Sequence, residues 1–302
     1  MNRFLGVDIG GTNVKIGIVD DKGELLEKYK HPTVDVSKDG KFVENFTSLL
    51  KDILEKNTDI KKVGIGIPGI ISKDRLSTLE LPNIPSLSNQ RIIPYLTQHL
   101  PEHEFFLEND ANAAAIGEFL FGDHDIKDHL ILLTLGTGLG GGVILDRKIF
   151  KGGDGNGMEI GHIISSSGET IEYHVGKKGI VRTAHELLKK YDTDSFLDKY
   201  KGDFTAKEVV SGAKKGDKVC KKVFKKVGKY TGECIVAACR IFDIKTIVIG
   251  GGVSDTYPYI SKSMNKAIHA NLTEYYLKDL KIEIATLKNE AGIIGAASLC
   301  LQ

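Results

Sequence analysis

The chain has no excess of charge: 41 lysines and arginines stand against 40 aspartates and glutamates over 302 residues. So close a balance leaves no electrostatic footprint for nucleic acid or an anionic membrane surface. The one basic run, Lys214, Lys215, Lys218, Lys221, Lys222, Lys225, Lys226 and Lys229, alternates at helical spacing with Val219, Val223, Phe224 and Val227. That spacing describes a solvated helix face. Cysteine is scarce too. Cys220, Cys234, Cys239 and Cys300 form no CxxC pair and lack metal-ligand spacing, so buried free thiols in a reducing compartment are expected. No apolar run approaches the ~20 residues of a bilayer span. Asp8 interrupts the first apolar stretch, which argues against a signal peptide. A soluble cytoplasmic protein with no membrane or nucleic-acid partner is the expectation. Walker A is excluded as well, because no Gly-Lys-Ser or Gly-Lys-Thr occurs.

What is present suffices for two domains, with 41% hydrophobic residues to build their cores. The opening stretch, LGVDIGGTNVKIGIVDDKG, reads as two strands around a glycine turn with one acid, Asp8, beside it. A plain hairpin needs no such acid, whereas a site for a phosphate and its metal does. Phe42, Val43, Phe46, Leu49, Leu50, Ile53 and Leu54 mark one helical face. KKVGIGIPGI and FFLEND read as strands, and the alanine-rich ANAAAIGEFLFG as a helix.

The opening pattern returns 126 residues later in LILLTLGTGLGGGVILDRK, with Thr134 where the first copy has Asp8. Two related α/β domains follow from this, each beginning with a β-hairpin. The expected division is 1–121 and 122–288, with a terminal helix over 289–302 packing back on the first domain. Helices are expected near 178–190, 205–214 and 217–242, then the strand KTIVIGGGVS and a last strand near 281–286.

Gly136, Gly138 and Gly141 satisfy G-x-G-x-x-G, but a strand follows them. A dinucleotide fold needs a helix there, to aim its N-terminus at the pyrophosphate. What remains is a β-hairpin phosphate loop. Two such loops facing each other would offer backbone N–H groups, Thr12 and Thr137 to a polyphosphate. The third cluster, Gly250-Gly251-Gly252, fits either close approach of a nucleobase and ribose or a tight turn after a strand.

Taken together, these segments resemble the ROK family (repressors, open reading frames, kinases) of the actin-like ATPase superfamily. GVDIGGTNVKIGIVD and LTLGTGLGGGVILDRKIFKGGDGNGMEIGH resemble its two phosphate motifs, and GIGIPGI the strand beside its sugar site. ENDANAAAIGE resembles the catalytic segment, and IVIGGGVS the adenosine motif. The resemblance implies a two-domain α/β, ribonuclease H-like fold with an interdomain cleft. It also implies ATP- and Mg²⁺-dependent phosphorylation of a hexose-type hydroxyl, as in glucokinase, by a homodimer. Asp110 falls on the catalytic base, and Asn83, Asn109, Glu159, His162 and Gly69 on sugar-binding positions. Gly10, Gly11, Thr12, Asn13, Lys15, Thr137, Gly138, Gly250, Gly251 and Gly252 fall on ATP-binding positions. Asp8 falls on the acid that holds Mg²⁺, in all expectation through water. An N-cap on the alanine-rich helix is a second, compatible role for Asp110.

The sequence departs from the family in one region. Most members follow the Glu-x-x-His histidine with C-x-C-G-x-x-G-C-x-E, which holds a structural zinc. Here the corresponding frame is YHVGKKGIVR, with Tyr173, Val175 and Ile180 at the cysteine positions and Arg182 at the glutamate. His162 alone cannot hold zinc, so a zinc-free protein is expected. Arg182 can only donate hydrogen bonds, so it reads either as a ligand for an anionic sugar or as a partner of Glu186 on the same helix. A non-catalytic sugar- or nucleotide-binding regulator, or a pseudokinase, is the alternative function. A DNA-binding repressor would need a winged helix-turn-helix ahead of the first phosphate motif.

Overall fold

The structure is a computed structural model that describes residues 2–191, 194–252 and 256–301. The chain forms two compact units, Met1–His129 with Gly142–Met158 and Thr286–Gln302, and Leu130–Gly141 with Glu159–Ala285. In order come β1 (Arg3–Ile9), β2 (Asn13–Asp20), β3 (Leu25–Pro32), α1 (Thr33–Val36), α2 (Phe42–Lys56), β4 (Lys62–Ile67), β5 (Ile70–Ile71) and β6 (Thr78–Glu80). Next are α3 (Ile92–His99), β7 (Glu104–Asn109), α4 (Asp110–Phe121), β8 (Leu130–Leu135), β9 (Leu139–Leu145) and β10 (Lys148–Ile149). Then follow α5 (Ile171–His174), α6 (Gly176–Lys190), α7 (Ala206–Lys214) and α8 (Lys218–Phe242). The chain closes with β11 (Thr246–Gly250), α9 (Tyr257–Asn271), α10 (Glu274–Leu277), β12 (Lys281–Ile284) and α11 (Ala291–Ser298).

The two larger sheets have one plan. The first runs β3-β2-β1-β4-β7, with β1, β2 and β3 antiparallel and β1, β4 and β7 parallel. The second runs β10-β9-β8-β11-β12, with β9 and β10 antiparallel and β8, β11 and β12 parallel. The sequence repeat is thus a repeat of topology, in which each hairpin's first strand becomes a central strand of its sheet. Such strands are covered on both faces: Leu5, Val7 and Ile9 are buried on one side of β1, and Phe4 and Gly6 on the other.

Periodicity explains the helices. In α2 the buried residues Phe42, Phe46, Leu50, Ile53 and Leu54 lie on the face anticipated from the sequence. Helix α7 starts with a capping box between Thr205 and Glu208, and α8 with the Asp217 carboxylate on the Cys220 amide at 2.7 Å. Cys220, Cys234 and Cys239 lie on α8, and all four cysteines are buried and free. Burial pushes every thiol up, Cys239 to about 11 and Cys300 to about 12. The thiolate is the reactive form. Folded protein should therefore show no rapidly titrating thiol at pH 8, and all four after unfolding in guanidinium; a fast native thiol would contradict this burial.

Helix α11 completes the first unit. It packs on β1, β4 and α4, and Ile293, Ile294, Ala297 and Cys300 share a core with Phe4 and Val19. A Cβ on Gly6 would meet the Ile293 carbonyl and Ala297, and one on Gly64 the Ala296 carbonyl. Glycine there lets a helix backbone lie directly on strands. The chain's return to this unit is held by Glu118, fully buried in α4, which accepts from the Leu287 amide at 2.9 Å and the Thr286 amide at 3.2 Å.

Candidate active site

In the first unit, β1 and β2 pair Asp8 with Lys15, and Lys15 Nζ lies 2.7 Å from Asp8 Oδ2. Both are only partly exposed. Between the strands, the Gly10 amide donates to the Asn13 carbonyl at 2.9 Å, which closes the loop. Thr33 fastens it from outside: its hydroxyl donates to the Gly10 carbonyl at 2.6 Å and its amide to the Thr12 carbonyl at 3.0 Å. Among the described residues none accepts from the Gly11 or Thr12 amide. Asn83 lies beside this loop, since a Cβ on Gly11 would stand 3.2 Å from its carbonyl oxygen.

The second unit repeats the device. Between β8 and β9 the Gly136 amide donates to the Gly138 carbonyl at 3.0 Å, and among the described residues none accepts from the Thr137 or Gly138 amide. The next amide, Leu139, donates to Glu172 Oε2 at 2.9 Å. Lys177 holds the loop from the start of α6, its amide donating to the Gly136 carbonyl at 3.1 Å. Gly176 is required at this joint, with φ +83° and the Thr137 and Gly138 carbonyls 2.9 Å from where its Cβ would be. Glu172 was not singled out from the sequence. No sequence pattern marks it, and only tertiary packing brings its carboxylate against Gly138.

At the end of β7, the structure corrects one reading of the sequence. Asn109, not Asp110, caps α4, its Oδ1 accepting from the Ala111 amide at 2.9 Å and the Asn112 amide at 3.3 Å. Its Nδ2 donates to the Gly69 carbonyl at 3.3 Å, which brings together two of the expected sugar-binding residues. Gly69 has φ +100° beside the Glu80 backbone, a conformation L-residues rarely adopt. Asp110 is the first helical residue, partly buried, with Oδ1 accepting from the Ala111 amide at 2.9 Å.

Glu159 caps and His162 ends a single 3-10 turn, Ile160–His162, with His162 Nε2 3.8 Å from Glu159 Oε2, and both side chains are exposed. Gly250 ends β11 and is buried. Gly251, at φ +83°, would drive a Cβ into the Leu135 backbone, while a Cβ on Gly252 would stand in open space. Val253 and Ser254 of the same motif lie outside the described residues.

Arg182 does not pair with Glu186, which meets Lys226 at 3.6 Å instead. Its guanidinium lies 3.2 Å from the Tyr173 ring centroid, a cation–π contact. Val175 and Ile180 are buried, and His174 stacks on Tyr230 with ring centroids 3.7 Å apart. Burial, followed by the charge of Arg182, pushes the His174 pKa down. Aromatic and aliphatic packing thus fills the frame in which the family's cysteines were expected. Among the described residues no three His, Cys, Asp or Glu side chains are grouped to hold a metal.

The ROK family model matches residues 4–302. The chain belongs to the ROK family. A glucokinase from Halalkalibacterium halodurans is 30% identical over 328 residues, covering 99% of this ROK chain and 95% of that protein. A candidate sugar kinase from Cytophaga hutchinsonii superposes with a TM-score of 0.92 at 37% identity over all of both chains. A ROK glucokinase from Streptomyces griseus, solved with glucose and AMPPNP, gives 0.82 at 29% identity over 99% of each chain. The mixed α/β fold is that of the actin-like ATPases.

Proposed function

We infer that the chain is an ATP-dependent sugar kinase that moves the γ-phosphoryl group of ATP to a hexose-type hydroxyl, with Asp110 as general base. One observation carries the reading. Among the described residues, each of two equivalent glycine loops leaves two consecutive amides without an acceptor, Gly11 with Thr12 and Thr137 with Gly138, and only the first follows a strand bearing a carboxylate, Asp8. Adjacent open N–H groups are acceptors' natural partners in phosphate binding. The glucokinase likeness, and the relative that holds glucose and AMPPNP, support the same substrates.

On this reading Gly10, Asn13 and Lys15 complete the first phosphate loop, and Gly250, Gly251 and Gly252 line the adenosine. Asn83, Gly69, Asn109, Glu159 and His162 hold the sugar. Asp8 fits Mg²⁺: it is a hard oxygen donor, Lys15 occupies one of its oxygens, and the other suits a cation that keeps much of its water. The ion would neutralise charge on the phosphates. Asp110 takes the proton of the attacking hydroxyl, a task that requires a carboxylate within hydrogen-bond reach.

A coupled ADP-release assay with Mg²⁺ over hexoses, N-acetylated amino sugars and acidic sugars tests the reading. One class should raise ADP release at least tenfold over ATP alone. If ATP or a sugar binds and no sugar stimulates release, the protein is a binding regulator or pseudokinase.

A further inference from the structure

Glu108, the residue before Asn109 and Asp110, is buried to 1% exposure yet carries a full set of partners. Its Oε1 accepts from the Asn109 amide at 3.0 Å and from Asn112 Nδ2 at 3.1 Å. Its Oε2 meets Arg75 Nε at 3.1 Å and Lys151 Nζ at 3.2 Å. A single carboxylate therefore gathers the first turn of α4, the β5–β6 turn and the segment after β10. None of the roles assigned above uses it.

Arg75 is the unusual member. It has φ +61°, a left-handed conformation that disfavours a non-glycine residue, and its side chain is 13% exposed. Besides Glu108 it reaches two carbonyls, donating from Nη2 to Gly155 at 2.5 Å and from Nη1 to Ser72 at 3.4 Å. Gly155 has φ +93°, and a Cβ there would stand 2.7 Å from Arg75 Nη1, so this glycine is what lets the guanidinium close on the loop. The next residue fastens the same loop. Asn156 Nδ2 donates to the Ile71 carbonyl at 2.8 Å and Oδ1 accepts from the Ile71 amide at 3.0 Å. The loop, Lys151–Gly157, runs on directly to Glu159 and His162.

We propose that Arg75 is a positioning residue: one face of its guanidinium is fixed by Glu108 at the root of α4, and the other clamps the Gly152–Gly157 loop that leads to Glu159 and His162. The clamp fixes the segment that runs on in the chain to the Glu-x-x-His turn, and the carboxylate that holds it also fixes the Asn109 amide. A guanidinium suits the task because its planar fork serves three acceptors at once, which an ammonium on a flexible stem cannot do in the same geometry. The role in sugar binding rests on the kinase reading; the clamp itself does not.

Arg75→Lys separates the two. Lysine retains the charge opposite Glu108 but not the fork. Amide hydrogen exchange over residues 151–157 should speed up at least tenfold in this variant, with the β1–β4 core unchanged. In the ADP-release assay the sugar KM should rise at least tenfold, with ATP KM within about twofold and kcat falling less than sugar kcat/KM. Arg75→Met, which also removes the charge, should show the same exchange change and a lower melting temperature. Unchanged exchange in both variants overturns the clamp. Faster exchange with an unchanged sugar KM, or with both KM values raised alike, overturns the positioning role. Should the wild-type protein phosphorylate no sugar, the kinase reading falls, while the exchange data still decide the clamp.

Discussion

Asp110→Asn should lower sugar-stimulated ADP release by about 10² to 10⁴, the range general-base catalysis contributes, and leave sugar affinity by calorimetry within about threefold. The structure makes this substitution clean. Asn109 caps α4, so the helix keeps its N-terminal acceptor when Asp110 changes. The Asp110 oxygen that accepts from the Ala111 amide has an equivalent in an asparagine carbonyl. What asparagine cannot do is take a proton from the attacking hydroxyl. Retained binding with lost turnover points to a base. Turnover within tenfold of wild type would remove Asp110 from the chemistry, and a parallel loss of binding would make it a sugar ligand first.

Gly64→Val should lower the stability of the first unit by about 3 kcal/mol, at the upper end of what overpacking costs, and so lower its melting temperature by roughly 10 °C. A Cβ at residue 64 would meet the Ala296 carbonyl carbon at 2.7 Å, which is backbone and cannot swing aside. Gly6 faces the same helix, with the Ala297 amide nitrogen 2.9 Å from where its Cβ would be. Once α11 has been lifted by one side chain, the second has less to displace. The Gly6→Ala, Gly64→Ala double variant should therefore cost less than the sum of the singles. A melting temperature within a degree of wild type for Gly64→Val would show that α11 adds little to the unit.

Much of this was legible because it is local. Each glycine loop lies between apolar strands, and its duplication 126 residues on marks the repeated sheet in the sequence itself. Helices α2 and α8 are legible from the period of their apolar residues. The capping role at α4 was assigned one residue late, because Asn109 and Asp110 are both good caps and their order is decided by where β7 ends. Glu108 and Lys151 lie within quoted motifs, but nothing in the sequence pairs them with each other or with Arg75, since their meeting depends on chain segments 33 and 43 residues apart from the carboxylate. Glu172 and Arg182 show the same limit. Arg182 reads from the sequence as a ligand for an anionic sugar or a partner of Glu186, yet it rests on Tyr173, and the carboxylate touching the second loop comes from residue 172.

The seating of α11 on β1 and β4 also bears on how the protein is made. At about 5–20 residues per second of synthesis, roughly 15 to 60 s separate the emergence of Gly6 from that of Ala297. Throughout that interval Phe4 and Val19 have no Ile293, Ile294 or Cys300 to cover them. The intervening unit, whose segments all lie between residues 130 and 285, is free to fold on the ribosome in the meantime. The first unit is started first and finished last, and its strand face stays uncovered until the final segment is made.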